Sequence, residues 1–445
     1  MKRLFGTDGV RGLVGEKLTA ALALSLGRSA GRLFSADGGT PTVLIGEDTR
    51  KSSPMLAAAL AAGFAEAGVE VRLLGVMPTP AVAYLAAREG VYGAVVSASH
   101  NPAGYNGIKL LSRRGEKLPD ATEEAIEVGL SVPPSAEGGC GRVLRVENAA
   151  APYLAYLKEL CPPPHRLRIL LDCANGAFSP LGRDVLALLG GEGDLIFASP
   201  DGDNINHACG STDLADLSSA VVAGGYDIGI AFDGDGDRAL FVDGGGRCVD
   251  GDAVLALCAL DRHRRGLAGS HAAVGTVMSN GGVARTLRSA GIAFYEAAVG
   301  DRYVLEAMHE KGATLGGEPS GHTVFLDRAD WGDGAITALE VISLLLERQK
   351  SLSALAADIP YLARRTANLP LSPTGRAALT AAALDAVRTG AEALLGEGGR
   401  VLLRPSGTEP CLRVMVEGES ERAVGAACAF CEEKLNALLT ESDNM

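Results

Sequence analysis

TVLIGEDTRKSSPMLAAALAAGFAEAGVEVRLLG, residues 42–75, opens on a short apolar run, breaks at a polar turn, continues with Leu, Ala and Phe at helical spacing and closes on a second apolar run. That order predicts a strand, a helix of three to four turns and a second strand, which is a β-α-β crossover. The plan recurs in RILLDCANGAFSPLGRDVLALLGGEGDLIFA from Arg168 and in AAVGTVMSNGGVARTLRSAGIAFYEAAVG from Ala272. Units of this kind build sheets with helices on both faces, and their ligands sit where strand C-termini meet helix N-termini. The turns of the repeats are therefore the places to look for chemistry.

The rest of the chain follows from these units. At 445 residues it is too long for one ordinary core, and domain sizes suggest roughly three or four domains. Breaks at SVPPSAEGGCG (131–141), CPPPH (161–165) and NLPLSPTG (368–375) read as loops or linkers. From Arg376 the pattern changes to one helix, strand VLLRPS, strand CLRVMVEG and a final amphipathic helix, too little for another copy of the repeat. The expected fold is α/β: three similar α/β domains with mixed sheets covered by helices, at 1–153, 154–252 and 253–364, and a smaller α+β domain at 365–445.

Composition excludes several classes. Hydrophobic residues at 47% and charged residues at 21%, with 58 glycines, fit glycine-turned α/β layers better than disorder or a coiled coil. A net charge of −13 argues against a nucleic-acid surface, which needs basic residues in excess to displace counterions. Nine scattered cysteines do not make a disulfide framework, so a reducing compartment is expected. MKRLFGTDGVRG breaks before any apolar signal region forms, and no apolar run reaches membrane-spanning length. The cytoplasm is the expected location, with no membrane partner.

The sharpest chemical signal is AFDGDGDR, in which Asp233, Asp235 and Asp237 alternate with glycines after the apolar run IGIAF. Carboxylates this close repel one another, so the pattern makes sense around a hard divalent cation bound through oxygens. A calcium EF-hand fails, because counting from Asp233 puts Arg238 where the loop needs Gly and Gly244 where it needs Glu. With Arg238 alongside, the loop suggests Mg2+ shared with a phosphate. VVSASHNPAGYNGIK, residues 95–109, places Ser97 and Ser99 where a strand runs into His100, Asn101 and Pro102. Either serine reads equally well as a turn cap. Neither Ser99 nor Ser406 sits in GxSxG, which disfavours a serine hydrolase. A phosphorylated serine would supply the missing ligand of the metal loop, with Lys109 as a nearby cation or proton donor.

Two further loops carry polar groups. GGEPSGH (316–322) collects Glu318, Ser320 and His322, a carboxylate and hydroxyl set suited to vicinal sugar hydroxyls, although a plain hairpin loop fits as well. RPSGTEP (404–410) offers Arg404 and the backbone N–H groups of Ser406, Gly407 and Thr408, the chemistry of a phosphate nest, with Arg413 on the next strand. Cys428 and Cys431 spell CAFC but fall in a predicted helix without a second pair, so packing is the better reading than zinc or redox work.

FGTDGVRG (5–12), SASHNP (97–102), DGDGDR (233–238), GGEPSGH and RPSGTEP, in that order and over almost the whole chain, closely resemble the α-D-phosphohexomutases. AVGDRYV (298–304), GDGAITALEV (332–341) and RVMVEGE (413–419) are similar to the bacterial phosphoglucosamine mutase subgroup. The resemblance implies four domains around a central active-site cleft, a phosphoserine at Ser99 and one Mg2+ on Asp233, Asp235, Asp237 and the Ser99 phosphate. It implies that Arg11, Lys109 and Arg238 line the phosphoryl-transfer site, with Lys109 or His322 carrying the proton. His100, Glu318 and Ser320 would meet the sugar, and Arg404, Ser406, Gly407, Thr408 and Arg413 the spectator phosphate. The implied reaction interconverts glucosamine 6-phosphate and glucosamine 1-phosphate through glucosamine 1,6-bisphosphate, feeding UDP-N-acetylglucosamine and the cell wall, and the analogy extends to a homodimer. One position departs: Pro319 stands where the subgroup is expected to carry Asn or Gln. That leaves open the related mutases acting on glucose or mannose phosphates. A non-catalytic sugar-phosphate binding protein would predict a damaged serine or metal loop, and both are intact.

Overall fold

Six strands, β1 (Val10–Leu13), β2 (Thr42–Glu47), β3 (Glu70–Val76), β4 (Tyr92–Val96), β5 (Tyr105–Leu111) and β6 (Val143–Arg145), pair in the order β1-β5-β4-β2-β3-β6. Strands β2, β3 and β4 run parallel, as crossovers through helices Ser53–Glu66 and Thr79–Glu89 require, and β5 runs antiparallel to β4. The apolar stripes seen in the sequence face inward. Val43, Ile45, Leu56, Leu60, Phe64, Val96 and Ile108 belong to one buried cluster. Each such side chain contributes about 1.5–3 kcal/mol by leaving water. The computed structural model describes residues 4–6, 8–36, 41–132, 140–372, 379–405 and 411–443.

The second sheet contains β7 (Arg168–Asp172), β8 (Glu192–Ile196), β9 (Ile228–Phe232), β10 (Ala239–Asp243) and β11 (Cys248–Val249), in the order β11-β10-β9-β7-β8. The third contains β12 (Ala272–Thr276), β13 (Ala293–Ala297), β14 (Leu315–Gly317) and β15 (Thr323–Phe325), in the order β13-β12-β14-β15. All three sheets share one core: a central strand flanked by two parallel neighbours, with a fourth strand antiparallel to the second neighbour. The repeat thus extends beyond the β-α-β unit to β3-β2-β4-β5, β8-β7-β9-β10 and β13-β12-β14-β15. The crossover helices of the second and third copies, Gly182–Leu189 and Gly281–Ser289, are shorter than three to four turns. In the second copy a 3-10 turn at Ser179–Leu181, containing Pro180, takes up the preceding residues.

The chain divides into two compact units, Met1–Ser279 with Leu287–Asp358, and Asn280–Thr286 with Ile359–Met445. The second unit holds a three-stranded antiparallel sheet, β16 (Ala363–Pro370), β17 (Arg400–Pro405) and β18 (Cys411–Gly418), in the order β16-β18-β17. Its core includes Leu412, Val414, Val416, Cys428 and Cys431. Strand β16 corrects the sequence reading: Asn368–Pro370 pair with Arg413, Leu412 and Cys411 and are not linker. The tolerance for Pro370 follows from its place at the end of an edge strand, where no ladder donor is needed. Cys428 and Cys431 are packed in that core, and all nine cysteines are free. No described helix is long and apolar enough to cross a membrane.

Candidate active site

In all three copies of the repeat the polar motif occupies the turn between the third and fourth strands: Ser97–Gly104 between β4 and β5, Asp233–Arg238 between β9 and β10, and Glu318–His322 between β14 and β15. Ser99 is fully buried and has φ +53°. A left-handed backbone is uncommon for a residue with a Cβ, and such strain persists only where the surroundings enforce it. Here they do. The Ser99 N–H donates to Ser97 Oγ (2.9 Å), whose hydroxyl donates to Asp48 Oδ2 (2.6 Å). The buried Arg50 guanidinium donates to Asp48 Oδ2 (2.8 Å) and to the carbonyls of Ser99 (2.9 Å), Asn101 (2.8 Å) and Pro102 (2.5 Å). Asn206 Nδ2 donates to the Ser99 carbonyl as well (2.8 Å).

Asp48, Arg50 and Asn206 were not among the residues the sequence pointed to. The available signal was EDTR at the first strand-to-helix turn of the repeat, where such folds place their ligands. Arg50→Met is expected to destabilise the protein by about 3–5 kcal/mol, because Asp48 would stay buried without its partner. Denaturant unfolding checks this, and a midpoint equal to the wild type would remove Arg50 from the framework of the Ser99 turn.

The Ser99 hydroxyl donates to Asp233 Oδ2 at 2.5 Å. Gly234 makes that approach feasible, since a Cβ there would lie 2.5 Å from the Ser99 carbonyl oxygen. Oxygens of Asp233, Asp235 and Asp237, all buried, come within 4.8 Å of one another. Burial, then the charges of Asp237 and Asp235, push the Asp233 carboxyl well above its ordinary range. Burial also works to raise Asp235, but the Lys109 ammonium and the Thr79 hydroxyl outweigh it and hold that carboxyl low. Their hydrogen bonds to Asp235 Oδ2 are 2.8 and 2.7 Å. Asp235 Oδ1 and Asp237 Oδ1 are buried without a hydrogen-bond partner. Crowded oxygen donors with unsatisfied lone pairs fit a hard divalent cation such as Mg2+.

Cations surround the triad. Lys109 Nζ also lies 3.4 Å from Asp237 Oδ2, and Arg238 Nε lies 3.7 Å from Asp237 Oδ1. Arg11 enters on β1, whose antiparallel register sets it opposite Gly107 of β5, two residues before Lys109. His100, 3.4 Å from Ser99 Oγ through Nδ1, is driven down to about 3 by burial and by Arg238 and Arg11, so its ring is neutral near pH 7. The backbone of Arg238 pairs with His322, which sets the third turn beside the second. There the Glu318 carboxylate accepts from the Gly300 N–H (3.1 Å), Ser320 is half-buried, and the buried His322 has no hydrogen-bond partner on Nδ1. A cavity of about 600 Å³ borders Lys109, Asp237, Asp301 and His322.

In the second unit Arg404 and Arg413 face each other in register on β17 and β18, which puts their side chains on one face of the sheet. Ser406, Gly407 and Thr408 lie outside the described residues.

Comparison with known proteins agrees with the α/β architecture. The models for phosphoglucomutase/phosphomannomutase alpha/beta/alpha domains I, II and III match residues 2–131, 151–246 and 250–362, and the model for the C-terminal domain matches 367–433. The phosphoglucosamine mutase of Aromatoleum aromaticum is 48% identical, over 94% of this chain and 95% of its own. That of Renibacterium salmoninarum is 46% identical over 97% of both. Among solved structures, a phosphoglucomutase/phosphomannomutase family protein from Burkholderia thailandensis superposes with a TM-score of 0.82 at 28% identity, covering 98% of this chain and 97% of its own. An N-acetylphosphoglucosamine mutase from Aspergillus fumigatus, solved with GlcNAc-6P and magnesium, shares the fold at a TM-score of 0.69 and 18% identity, over 99% of this chain and 96% of its own. With its four domain matches and relatives of this identity along nearly its full length, the chain belongs to the phosphoglucosamine mutases of the phosphoglucomutase/phosphomannomutase family.

Proposed function

We propose that this isomerase interconverts glucosamine 6-phosphate and glucosamine 1-phosphate through a phosphoserine at Ser99. The observation that carries the reading is the buried, left-handed Ser99 with its hydroxyl 2.5 Å from Asp233 and Lys109 on the neighbouring carboxylate. In the forward direction the P–Oγ bond of phosphoserine 99 breaks as a bond from phosphorus to sugar O1 forms, giving glucosamine 1,6-bisphosphate. The bisphosphate turns over, Ser99 Oγ accepts the 6-phosphoryl group, and O6 leaves with a proton. The net change is an isomerisation, and the phosphoenzyme is regenerated.

Phosphoryl transfer has a loose transition state, so positioning and charge account for most of the catalysis. Arg11 and Arg238 flank the transferring group. Lys109, paired to Asp235 and Asp237, acts as a fixed positive charge: burial lowers its affinity for the proton, but the two carboxylates outweigh that and raise it. His322, with Nδ1 unengaged, is the proton carrier at the sugar hydroxyl. Asp233, Asp235 and Asp237 would hold one Mg2+ together with the Ser99 phosphate, and the ion would neutralise charge on the phosphoryl oxygens. Glu318 and Ser320 would hold the sugar hydroxyls, with His100 as a neutral hydrogen-bonding partner. The division at 153, 252 and 364 would give the serine, metal, sugar and phosphate loops a domain each. The deciding experiment is a coupled assay of the purified protein on glucosamine 6-phosphate, glucose 6-phosphate and mannose 6-phosphate. Preference for either neutral sugar would move the assignment to another branch of the family, with Pro319 as the first position to exchange.

Arg404 and Arg413, with Ser406, Gly407 and Thr408, would clamp the spectator phosphate. A hydrogen bond to a charged group contributes about 1.5–3 kcal/mol, so Arg404→Ala is expected to raise KM about ten- to a hundredfold in both directions. Forward and reverse steady-state kinetics measure it. Unchanged KM with collapsed turnover would place Arg404 at the transfer step instead.

A further inference from the structure

The proposed mechanism uses Arg11 and Lys109 from the first sheet and Glu318 and His322 from the third, and it leaves open what holds these two sets in register. Lys117 lies between them. The loop after β5 curls back on itself: the Ser112 N–H donates to the Glu116 carbonyl (2.7 Å), and Lys117 pairs with Leu111 in an antiparallel bridge. This turn carries Lys117 back beside the end of the strand that bears Lys109. Its ammonium donates to Asp8 Oδ1 and to Asp301 Oδ1, each at 2.7 Å.

Each carboxylate serves one half of the site. Asp8 is ion-paired with Arg11 and stands 3.4 Å from Lys109 Nζ. The backbone at Gly9 lies so close to β5 that a Cβ there would meet the Ile108 carbonyl oxygen at 2.4 Å, so Asp8 has little room to drift. Asp301 is the first residue of helix Asp301–Lys311, and its Oδ2 is 3.8 Å from His322 Nε2. The residues on either side of it belong to the same junction. The Gly300 N–H holds Glu318, and the Arg302 guanidinium donates to the Leu118 carbonyl (2.9 Å) and pairs with Asp120. Lys117, Asp301 and His322 also line the cavity that borders Lys109 and Asp237.

We propose that Lys117 and Asp301 are positioning residues: their ion pair, continued through Asp8, holds His322 and the sugar loop in register with Arg11 and Lys109. The inference rests on the reaction proposed above. It predicts that breaking the pair slows phosphoryl transfer without removing any group that touches the transferring phosphate, since misplacement by about 1 Å costs up to roughly a hundredfold in rate.

The test is a single turnover. Enzyme loaded with radiolabelled glucosamine 1,6-bisphosphate and desalted is mixed with saturating unlabelled glucosamine 6-phosphate, and rapid quenching follows loss of label from the protein as the first turnover replaces it with unlabelled phosphate. For Lys117→Met and Asp301→Asn the expected rate falls roughly 10- to 100-fold at full amplitude. Because both changes cut one path, the double variant should be no slower than the slower single one, and Lys117→Arg should stay within about fivefold of wild type. A structural role alone would leave an unfolded fraction, seen as reduced amplitude at the wild-type rate, and that pattern overturns the inference. So do rates within about twofold of wild type, or losses that multiply in the double variant. If wild-type phosphoenzyme does not discharge to glucosamine 6-phosphate, the functional reading itself falls and the inference with it; normal wild-type discharge beside unimpaired variants removes the inference alone.

Discussion

Ser99→Ala is expected to reduce turnover by at least about 10³-fold, because covalent catalysis loses its acceptor atom and no neighbouring group replaces it. Ser97 is not a substitute. Its oxygen is engaged with Asp48 and with the Ser99 N–H, which fixes it as a brace of the turn. Stability should change little, since alanine keeps the Cβ and the backbone remains held by Arg50 and Asn206. The variant should therefore fold, bind sugar phosphate and fail to turn over. Steady-state assays with peptide mapping of the wild type check both sides: phosphate should be found on Ser99. Phosphate on Ser97, or an alanine variant with normal rates, would overturn the assignment.

Asp235→Asn and removal of divalent cations are the second case, with an expected loss of at least about 10²-fold in turnover for each. Asp235 contributes twice, as a candidate metal ligand with an unpartnered Oδ1 and as the principal counter-charge of buried Lys109. The asparagine variant keeps the shape and removes the charge. A ligand that binds only the folded state at a hundred times its Kd stabilises it by about 2.7 kcal/mol, so excess Mg2+ should raise the unfolding midpoint of the wild type. That rise should vanish in Asp235→Asn. EDTA-treated wild type that turns over at full rate without added metal would refute the metal assignment, whatever the variant does.

Much of this protein was legible along the chain because its decisive features are local. The continuous apolar run IGIAF gives a strand buried along its whole length, and the helical spacing of Leu56, Leu60 and Phe64 fixes which face of the helix turns inward. Asp233, Asp235 and Asp237 lie within five residues, so a short glycine turn suffices to converge them. The same holds for Cys428 and Cys431, whose place in a predicted helix without a second pair already indicated packing.

Other features depend on how separate elements stack, and no local pattern encodes that. β16 hid among prolines because its partner, β18, lies more than forty residues away, and pairing rather than propensity made it a strand. That Ser97–Gly104, Asp233–Arg238 and Glu318–His322 occupy equivalent turns became visible only once the fourth strand of each repeat was in place. The contacts that build the site span 134 residues from Ser99 to Asp233, 126 from Lys109 to Asp235 and 184 from Lys117 to Asp301. Residue types and spacing determined which groups this chain has for phosphoryl chemistry. Which charge faces which carboxylate was decided by the packing of the three sheets in the first unit, because a buried ion pair is set by distances of a few ångströms between segments that the sequence keeps far apart.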